Sequence, residues 1–274
     1  MKKSLLFLSV AVLAFSTVFI SACSDDDDGG KQVVIPPDLI KSLTIDDTTW
    51  EFTYDEANDD RLVSVLVTEG SDDPYTIEYD YSVPGRLTET ETASWGTWTS
   101  HFVVDNDGRI TKALWDASET DDNFDGYEYD ANGFLVRIYY KEDGVEHTLE
   151  RATVVNDNVT EHLRYWEGEV DRTKTFTYLT SASALNVSNL PQTNLRNSER
   201  RTIGGLYGKA SKGLIDYLEL TYPGEPERYS KNTNQYTFDS KNRVTGITRK
   251  FADASGSSTG SDEVFIYTYY DRED

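Results

Sequence analysis

The chain has 274 residues, of which 49 are acidic and 26 basic, and its net charge is −23 at pH 7. Such a charge repels phosphate backbones and anionic lipid headgroups, which argues against nucleic acid as a partner and against a membrane surface bound through charge. The 18 tyrosines and 11 phenylalanines favour strands over helices. With one cysteine the chain cannot form an internal disulfide, so a hydrophobic core must stabilise the fold.

The N-terminus has the layout of a bacterial secretory signal. Two lysines give a positive start, and the apolar stretch 5–20 is short for a transmembrane helix but suits a signal peptide. Residues 20–23 read Ile-Ser-Ala-Cys, which resembles the lipobox of bacterial lipoproteins, with Ile20 where leucine is usual. We therefore predict removal of residues 1–22 and lipid attachment to Cys23. The alternative is an ordinary secretory signal that ends beside this cysteine by chance.

Residues 23–39 are predicted to form a flexible tether. After the cysteine comes an acidic run followed by two glycines, and the run consists of Ser24, Asp25, Asp26, Asp27 and Asp28. Neither part can bury apolar surface, so the tether stays solvated. An acidic run at this place resembles the export signal of Bacteroidetes lipoproteins, which implies an outer-membrane lipoprotein that faces the cell exterior. The alternative is a spacer that only keeps the domain off the membrane.

The remainder, residues 40–274, is predicted to be one β domain built from repeats. Similar aromatic or apolar segments end in an aspartate every 25 residues, at Asp55, Asp80, Asp105 and Asp130, and a later copy ends at Asp239. In three of these copies, glycine or asparagine follows the aspartate three residues later, and these residues accept the positive φ of a tight turn. Each unit therefore predicts a strand, a tight turn, a returning strand and a longer connection.

Apolar and polar residues alternate within these units. Trp50, Phe52 and Tyr54 face one side, with polar residues between them on the other, which is typical of a half-buried antiparallel strand. We assign Trp50 to the core. In the returning strands that begin at Ile110 and Val244, the next apolar residue is three positions away, and this break predicts a β-bulge.

A meander of about 12–16 strands with one apolar face must roll up to hide that face and its edges. We therefore predict an all-β fold: an antiparallel up-and-down meander of repeated hairpins, curled into a barrel or a strongly twisted sheet. Residues 181–213 show no alternation and include a basic cluster between residues 196 and 212. This irregular loop is predicted to be a disordered or barrel-capping excursion, or else an anion-binding plug or docking loop.

The Tyr-x-Tyr-Asp units resemble the YD repeats of Rhs-type proteins. Together with the lipobox and the acidic tether, they resemble an uncharacterised family of Bacteroidetes surface lipoproteins with a porin-like β-barrel fold. The resemblance covers most of residues 45–274. It implies the fold and the location but no activity, because no functional residues are assigned in that family.

The sequence has few of the usual signatures of catalysis. The glycines at 204–208 are not followed by the Lys-Ser or Lys-Thr pair of a phosphate-binding loop. The three histidines have no spacing typical of a zinc or iron site, and they are His101, His147 and His162. We therefore predict a protein that is not an enzyme and has no cofactor.

One acidic stretch matches the first half of a calcium-binding EF-hand loop. Its candidate ligands are Asp121, Asn123 and Asp125. The twelfth position holds Asn132 where a bidentate glutamate is needed, and no helices are predicted on either side. The stretch therefore predicts a weak calcium site at most, with an incidental acidic loop as the alternative.

The candidate ligand-binding residues are Trp95, Trp98 and Trp166, which lie near predicted connections, and Trp115 lies at a strand end. Flat aromatic faces stack on sugar rings while neighbouring acids and amides bind the hydroxyl groups. The alternative is that these tryptophans fill the core or cap the barrel.

The predicted function is therefore non-catalytic binding by a surface-anchored, monomeric lipoprotein, with a glycan or an extracellular protein as its partner. The alternatives are a structural or interaction lipoprotein of the envelope, a glycan-active enzyme, and a membrane-spanning barrel. Against the last, the predicted strands are shorter than the roughly 9–11 residues that a tilted transmembrane strand needs.

Overall fold

The structure is a computed structural model, and it describes residues 39–58, 60–116, 122–180 and 199–270. These residues form sixteen strands: β1 Ile40–Ile45, β2 Thr48–Asp55, β3 Arg61–Glu69, β4 Tyr75–Asp80, β5 Arg86–Ala93, β6 Gly96–Val104, β7 Ile110–Leu114, β8 Phe124–Tyr129, β9 Leu135–Glu142, β10 Val145–Val155, β11 Asn158–Trp166, β12 Glu169–Tyr178, β13 Ile215–Thr221, β14 Ser230–Phe238, β15 Val244–Ala252 and β16 Glu263–Tyr269. A short helix α1, Glu199–Ile203, precedes β13, and a 3-10 helix, Pro226–Arg228, precedes β14.

Each strand pairs antiparallel with its neighbours in sequence, and β1 also pairs with β16, so the sheet closes into a barrel. This confirms the predicted all-β meander and shows that it forms a closed barrel and not an open twisted sheet. Closure leaves no sheet edge unpaired. Within the described ranges, no helix is long and apolar enough to cross a membrane.

Where β2, β3 and β4 pair, the inner face of the barrel is apolar, and the neighbouring row on the outer face is polar. Phe52, Val65 and Ile77 are directly paired across β2, β3 and β4, and each is at most 1% exposed. The residue next to each of these in its strand points outward, and these outward side chains form a polar row that continues across β5 and β6. The row consists of Thr53, Ser64, Glu78, Thr90 and Thr99. In these two rows the alternation therefore hides apolar residues inside the barrel and leaves polar ones in contact with water.

The two ends of the barrel differ in their connections. Because the strands reverse direction each time, connections after even-numbered strands lie at one end, and those after odd-numbered strands lie at the other. The first end carries the repeated aspartates and is called the aspartate end, with Asp55, Asp80, Asp105, Asp130 and Asp239. The second carries the exposed tryptophans and is called the tryptophan end.

The turn that follows each repeated aspartate is held by that aspartate. Oδ1 of Asp105 accepts hydrogen bonds from the backbone N–H groups of Asp107 and Arg109, at 3.0 and 2.9 Å. Gly108 takes the positive φ of +78° that the turn requires. The same bonds recur around Asp239, where Asn242 has a φ of +61°. These turns confirm the prediction from the glycine and asparagine positions.

An arginine and a tyrosine connect the Asp105 and Asp239 turns to the neighbouring hairpin. Arg109 binds Oδ2 of Asp105 and lies over the ring of Tyr129, with its Cζ 4.8 Å from the centroid. The Tyr129 hydroxyl donates to the backbone oxygen of Ile110 at 2.7 Å. A second such set joins the residues Asp239, Arg243, Tyr269 and Val244. The sequence repeat is thus explained by structure: it fastens consecutive hairpins together at one end.

The predicted bulges are present. Val103 pairs with Lys112 and Val104 with Ile110, so Thr111 is the extra residue. Thr245 has the same place in β15, since Thr237 pairs with Gly246 and Phe238 with Val244. A bulge adds local twist, which helps a sheet to close.

Residues 199–214, the plug segment, lie against the inner face at the aspartate end. Ile203, Leu206, Tyr207 and Leu214 belong to the same core cluster as the strands. The guanidinium of Arg201 binds both carboxylate oxygens of the buried Glu89, at 2.9 and 2.6 Å. Residues 181–213 were predicted to be irregular, and the described part is a short helix and turns that pack against the inner face at the aspartate end. The rest, 181–198, lies outside the described residues.

Candidate functional site

The four exposed tryptophans lie at the tryptophan end, with exposed fractions between 49% and 70%, and they are Trp95, Trp98, Trp115 and Trp166. The fifth, Trp50, packs half-buried against the core, as the alternation predicts. Exposed tryptophans are unusual because burial of this large apolar side chain would stabilise the fold, and an exposed tryptophan does not contribute that stabilisation. Their collection at one end therefore makes that end the candidate binding site.

Trp95 and Trp98 form one aromatic group on the turn between β5 and β6. The ring of Trp95 meets that of Tyr75 edge-on, at a centroid distance of 6.2 Å. The Trp98 ring covers Gly96, where a Cβ atom would lie 3.1 Å from the ring, so glycine permits this close packing. Trp98 lies directly opposite Glu91 in the pairing of β5 and β6, so both side chains are on the same face of the sheet. The structure thus places these two candidate residues at one hairpin end, with each ring against a different partner.

A second aromatic group surrounds Trp115, which follows β7. Its ring stacks on Tyr140 at 6.3 Å, and Tyr140 stacks in turn on His147 at 4.6 Å. The indole N–H of Trp115 donates to Oδ1 of Asp125 at 3.2 Å. Sequence reasoning missed Tyr140 and His147 because the stack from Trp115 through Tyr140 to His147 depends on the pairing of β8, β9 and β10.

Trp166 stands apart from the other three tryptophans. It ends β11, five strands from Trp98 on β6, and at 70% it is the most exposed of them. The structure therefore places it at the predicted end of the barrel but does not bring it into either aromatic group.

The described candidates for calcium are already engaged within the protein. Oδ1 of Asn123 accepts the backbone N–H of Asp143 at 2.9 Å, and Oδ1 of Asp125 accepts the indole N–H described above. Asp121 lies outside the described residues. Among those that are described, no group of three acids or histidines is arranged to hold a metal ion.

Below the rim, the inner wall formed by β11, β12 and β15 is basic. Arg164 and Arg172 are directly paired across β11 and β12, and Lys174 lies opposite His162 on the same face. Arg249 of β15 lies over the inward ring of Phe265, with its Cζ 4.7 Å from the centroid. The four cations Arg164, Arg172, Lys174 and Arg249 are called the basic wall.

Three carboxylates lie close to side chains of the basic wall or to the neighbouring His162. Asp171 accepts hydrogen bonds from Nε of Arg164 through both of its oxygens, at 2.9 and 3.0 Å. Glu263 accepts one from Arg249 at 2.8 Å. Oε2 of Glu150 lies 3.2 Å from Nε2 of His162.

Burial changes the protonation of this wall. The pKa of Lys174 is lowered to about 8, mainly by burial and further by Arg172. Burial also lowers the pKa of His162, although Glu150 acts in the opposite direction. At neutral pH, His162 is therefore neutral while Lys174 keeps a charge that its surroundings disfavour.

Two clefts lie at the aspartate end, where the turns meet the plug segment. One of about 520 Å³ runs between residues 83–86 and Gly204, and one of about 680 Å³ lies between residues 130–133 and Lys209. Around them, the charges of Arg61 and Arg109 are paired with Asp55 and Asp105. These arginines thus serve the turns.

Cys23 and the acidic run of Ser24 to Asp28 lie outside the described residues. Lipid attachment and export therefore stay predictions. The described chain begins at Leu39, whose backbone oxygen accepts the N–H of Tyr270 at 3.0 Å at the aspartate end. The described chain thus enters the barrel at the end opposite the tryptophans.

No model of a known protein family matches the chain, and no curated protein matches it in sequence. Two solved structures have a similar fold. A porin-like protein from Bacteroides uniformis ATCC 8492 is 17% identical, with a TM-score of 0.64 over 84% of this chain and 98% of that one. A porin-like protein from Bacteroides vulgatus ATCC 8482 is 11% identical, with a TM-score of 0.53 over 85% of this chain and 99% of that one. At these identities the likeness shows the fold alone: the chain has the barrel fold of these porin-like proteins.

Proposed function

We propose that this protein is a lipid-anchored binding barrel of the outer membrane that faces the cell exterior, and that its tryptophan end binds a glycan without catalysis. The proposal also includes membership of the family of Bacteroidetes surface lipoproteins, which the repeats and the lipobox resemble. The observation that carries it is the gathering of all four exposed tryptophans at one end of the barrel, opposite the plug segment.

The aromatic groups have the chemistry that sugar rings require. A sugar offers apolar C–H faces and hydroxyl groups, and aromatic rings pack on the faces while carboxylates accept from the hydroxyls. Trp115 supplies a ring beside the carboxylate of Asp125, and Trp98 supplies one on the same face of the sheet as Glu91. Both groups combine a flat apolar surface with hydrogen-bond acceptors, which favours a glycan over a purely apolar ligand.

The position of the tether fits this arrangement. The chain enters β1 at the aspartate end, so a lipid on Cys23 would hold the barrel from that side. The tryptophan end then remains accessible to large extracellular molecules.

The outer face supports a tethered barrel over a membrane-spanning one. A transmembrane barrel needs an outward apolar band about 25 Å tall. Here the outward row from Thr53 to Thr99 consists of threonine, serine and glutamate. A hydrocarbon environment would leave these groups without hydrogen-bond partners, at a cost of several kcal/mol each.

The anchor can be tested by cell fractionation. We expect Cys23→Ser to move the protein from the membrane fraction to the soluble fraction, because no other attachment is proposed. A variant that stays in the membrane and needs detergent for release would contradict the tethered barrel and favour the spanning one.

The binding role can be tested by affinity electrophoresis of the chain from residue 23 onward, with Cys23→Ser, in gels that contain one polysaccharide each. We expect at least one polysaccharide to retard the protein. Trp98→Ala and Trp115→Ala should abolish the retardation. Phe238→Ala is the matched control, because Phe238 is 41% exposed but lies at the aspartate end.

The outcomes are distinct. Retardation that is lost in the tryptophan variants and kept in the control would support a glycan site at the tryptophan end. Retardation by no polysaccharide, or equal loss in the Phe238 control, would overturn the proposal.

A further inference from the structure

We propose that the ligand of this barrel is acidic, and that Arg172 and Lys174 on the basic wall bind its carboxylate or sulfate groups. This inference rests on the proposed glycan-binding function and names the chemical class of the glycan. It depends on the register of β11 and β12, on the partners of each charge, and on the place of the basic wall below the tryptophan end.

The register places like charges against each other. Arg164 and Arg172 are direct cross-strand partners, and Lys174 follows two residues later on the same face. Directly opposed side chains have Cβ atoms about 5 Å apart, and like charges at that separation destabilise a sheet. An arrangement with this cost is expected where an anion is bound between the cations.

The available carboxylates do not neutralise all of these cations. Asp171 binds Arg164, and Glu263 binds Arg249. Glu150 lies 3.2 Å from the ring of neutral His162, and its charge acts in favour of charged Lys174 without forming an ion pair with it. Within the described part of the chain, Arg172 and Lys174 are the two members of the wall for which no ion pair with a carboxylate is formed.

The wall leads inward from the tryptophan end. The side chain of Arg164 is 40% exposed, and it lies two residues before Trp166 at the rim. Lys174 lies five residues from Glu169, the first residue of β12, which is roughly 16 Å along the strand. Exposure falls from Arg164 to Lys174, so a chain-like ligand that stacks on the rim can extend an acidic group down to the wall.

The state of Lys174 agrees with this geometry. Its surroundings lower its pKa to about 8, because the charged form is partly buried and close to Arg172. A bound carboxylate or sulfate would supply the missing negative charge and stabilise the ammonium. Arg172 offers a planar pair of N–H donors, which suits the two oxygens of such a group.

The rest of the protein makes such a site selective. With a net charge of −23, the overall field repels a polyanion, so acidic polymers should not adhere generally to the surface. Binding of an acidic glycan must then depend on this wall, and loss of a single wall cation should be measurable.

The test compares each acidic polymer with its neutral counterpart. The probes are dextran sulfate against dextran, and polygalacturonate against its methyl ester, with affinities measured by isothermal titration calorimetry at pH 7. The proteins are the chain from residue 23 with Cys23→Ser, and in addition its variants Lys174→Gln, Arg172→Gln and Lys250→Gln. Lys250 is exposed on β15 beyond the wall, so its variant controls for the change in net charge.

We expect at least one acidic polymer to bind more tightly than its neutral counterpart. Lys174→Gln and Arg172→Gln should each weaken that binding by about tenfold, the loss expected for one charge-assisted hydrogen bond. Lys250→Gln should change it less than twofold. Binding of the acidic polymer should also weaken from pH 7 to pH 9, as Lys174 loses its proton; the other charged groups that act on Lys174 are Arg172, Glu150, Arg249 and Arg164.

Other results separate this inference from the proposed function. Equal binding of acidic and neutral polymers, lost with Trp98→Ala, would overturn the acidic ligand and leave the glycan site standing. Binding of acidic polymers that Lys250→Gln weakens as much as Lys174→Gln would show non-specific attraction and overturn the inference. Binding of none of these polymers, together with no retardation in the polysaccharide gels, would overturn both.

Discussion

The aspartate end and the tryptophan end of this barrel are built from the same hairpins, yet they differ in whether their functional groups have partners within the protein. At the aspartate end, each turn carboxylate is satisfied by backbone N–H groups, an arginine or both, as at Asp105 and Arg109. At the tryptophan end, aromatic rings remain exposed, and further down the inner wall Arg172 and Lys174 form no ion pair with a carboxylate among the described residues. One end therefore stabilises the fold, and the other keeps groups available for a ligand.

The difference arises from chain direction. In an up-and-down meander, alternate connections lie at the same end, so a feature that recurs once per hairpin collects at one end only. The repeated aspartate turn fastens its own end, and the plug segment packs against the inner face there. The connections of the other end are free of this requirement, and binding residues are often found on such connections.

The largest expected effect concerns the plug segment. Arg201→Ala should lower the free energy of unfolding by about 3 kcal/mol, because it leaves the carboxylate of Glu89 buried without its partner. Urea denaturation measures this change. The double variant Glu89→Leu with Arg201→Met should regain most of the loss, since it removes both charges and keeps the volume. If Arg201→Ala costs less than 1 kcal/mol, the plug segment does not stabilise the aspartate end.

A change of opposite sign is expected on the basic wall. Because the folded-state pKa of Lys174 is lowered to about 8, folding disfavours its charged form, and this penalty is fully present below pH 8. Lys174→Met should therefore raise the free energy of unfolding at pH 7 by about 1–3 kcal/mol. The gain should vanish as the pH rises from 8 to about 10.4, where the unfolded lysine also becomes neutral. A destabilised variant at pH 7 would show that Lys174 serves the fold.

The turn aspartates should show a smaller loss. Asp239→Ala removes hydrogen bonds to two backbone N–H groups and to Arg243, and it should cost about 1–2 kcal/mol at pH 7. Although burial opposes the shift, these bonds lower the pKa of Asp239. Its contribution is therefore present above about pH 3.9 and is lost as the pH falls through the lower folded-state value. Urea midpoints of both proteins between pH 2 and 7 would check this, and a constant difference would contradict it.

The smallest effects on stability belong to the tryptophan end. Trp98→Ala and Trp166→Ala should each change the free energy of unfolding by no more than about 0.5 kcal/mol, because both side chains are largely exposed. Thermal unfolding followed by circular dichroism measures this. Tyr207→Ala is the contrast, since its fully buried ring in the plug segment should cost about 3–5 kcal/mol. A large loss for either tryptophan would mean that it serves the fold instead of a ligand.

Much of the fold could be predicted from the sequence because its signals are local. Alternation around Phe52 gives the strand, the aspartate and glycine spacing gives the turn, and an apolar face on many strands requires closure. The bulges at Thr111 and Thr245 were also predictable, since each breaks a period of two.

The plug segment could not be assigned in this way. Helix α1 has only five residues, too few for a periodic signal, and the partner of Arg201 lies 112 positions away on β5. A pairing of that range depends on the closed barrel, which brings the plug segment against the inner face.

The candidate site was predicted in part. Trp95, Trp98 and Trp166 were recognised as aromatic residues near connections. That they lie at the same end of the barrel depends on the exact number of strands between them. The basic wall was missed because it depends on register: the bulge at Asp171 sets Arg172 opposite Arg164, and a shift of one residue would turn Arg172 outward.

The most direct test of the division between the two ends is quenching of tryptophan fluorescence by acrylamide, with and without a polysaccharide that retards the protein. All four exposed tryptophans lie at one end, so a ligand bound there should protect them, and Trp98→Ala with Trp115→Ala should lose the protection. Unchanged quenching at a polysaccharide concentration that saturates binding would place the ligand elsewhere and contradict a binding site at the tryptophan end.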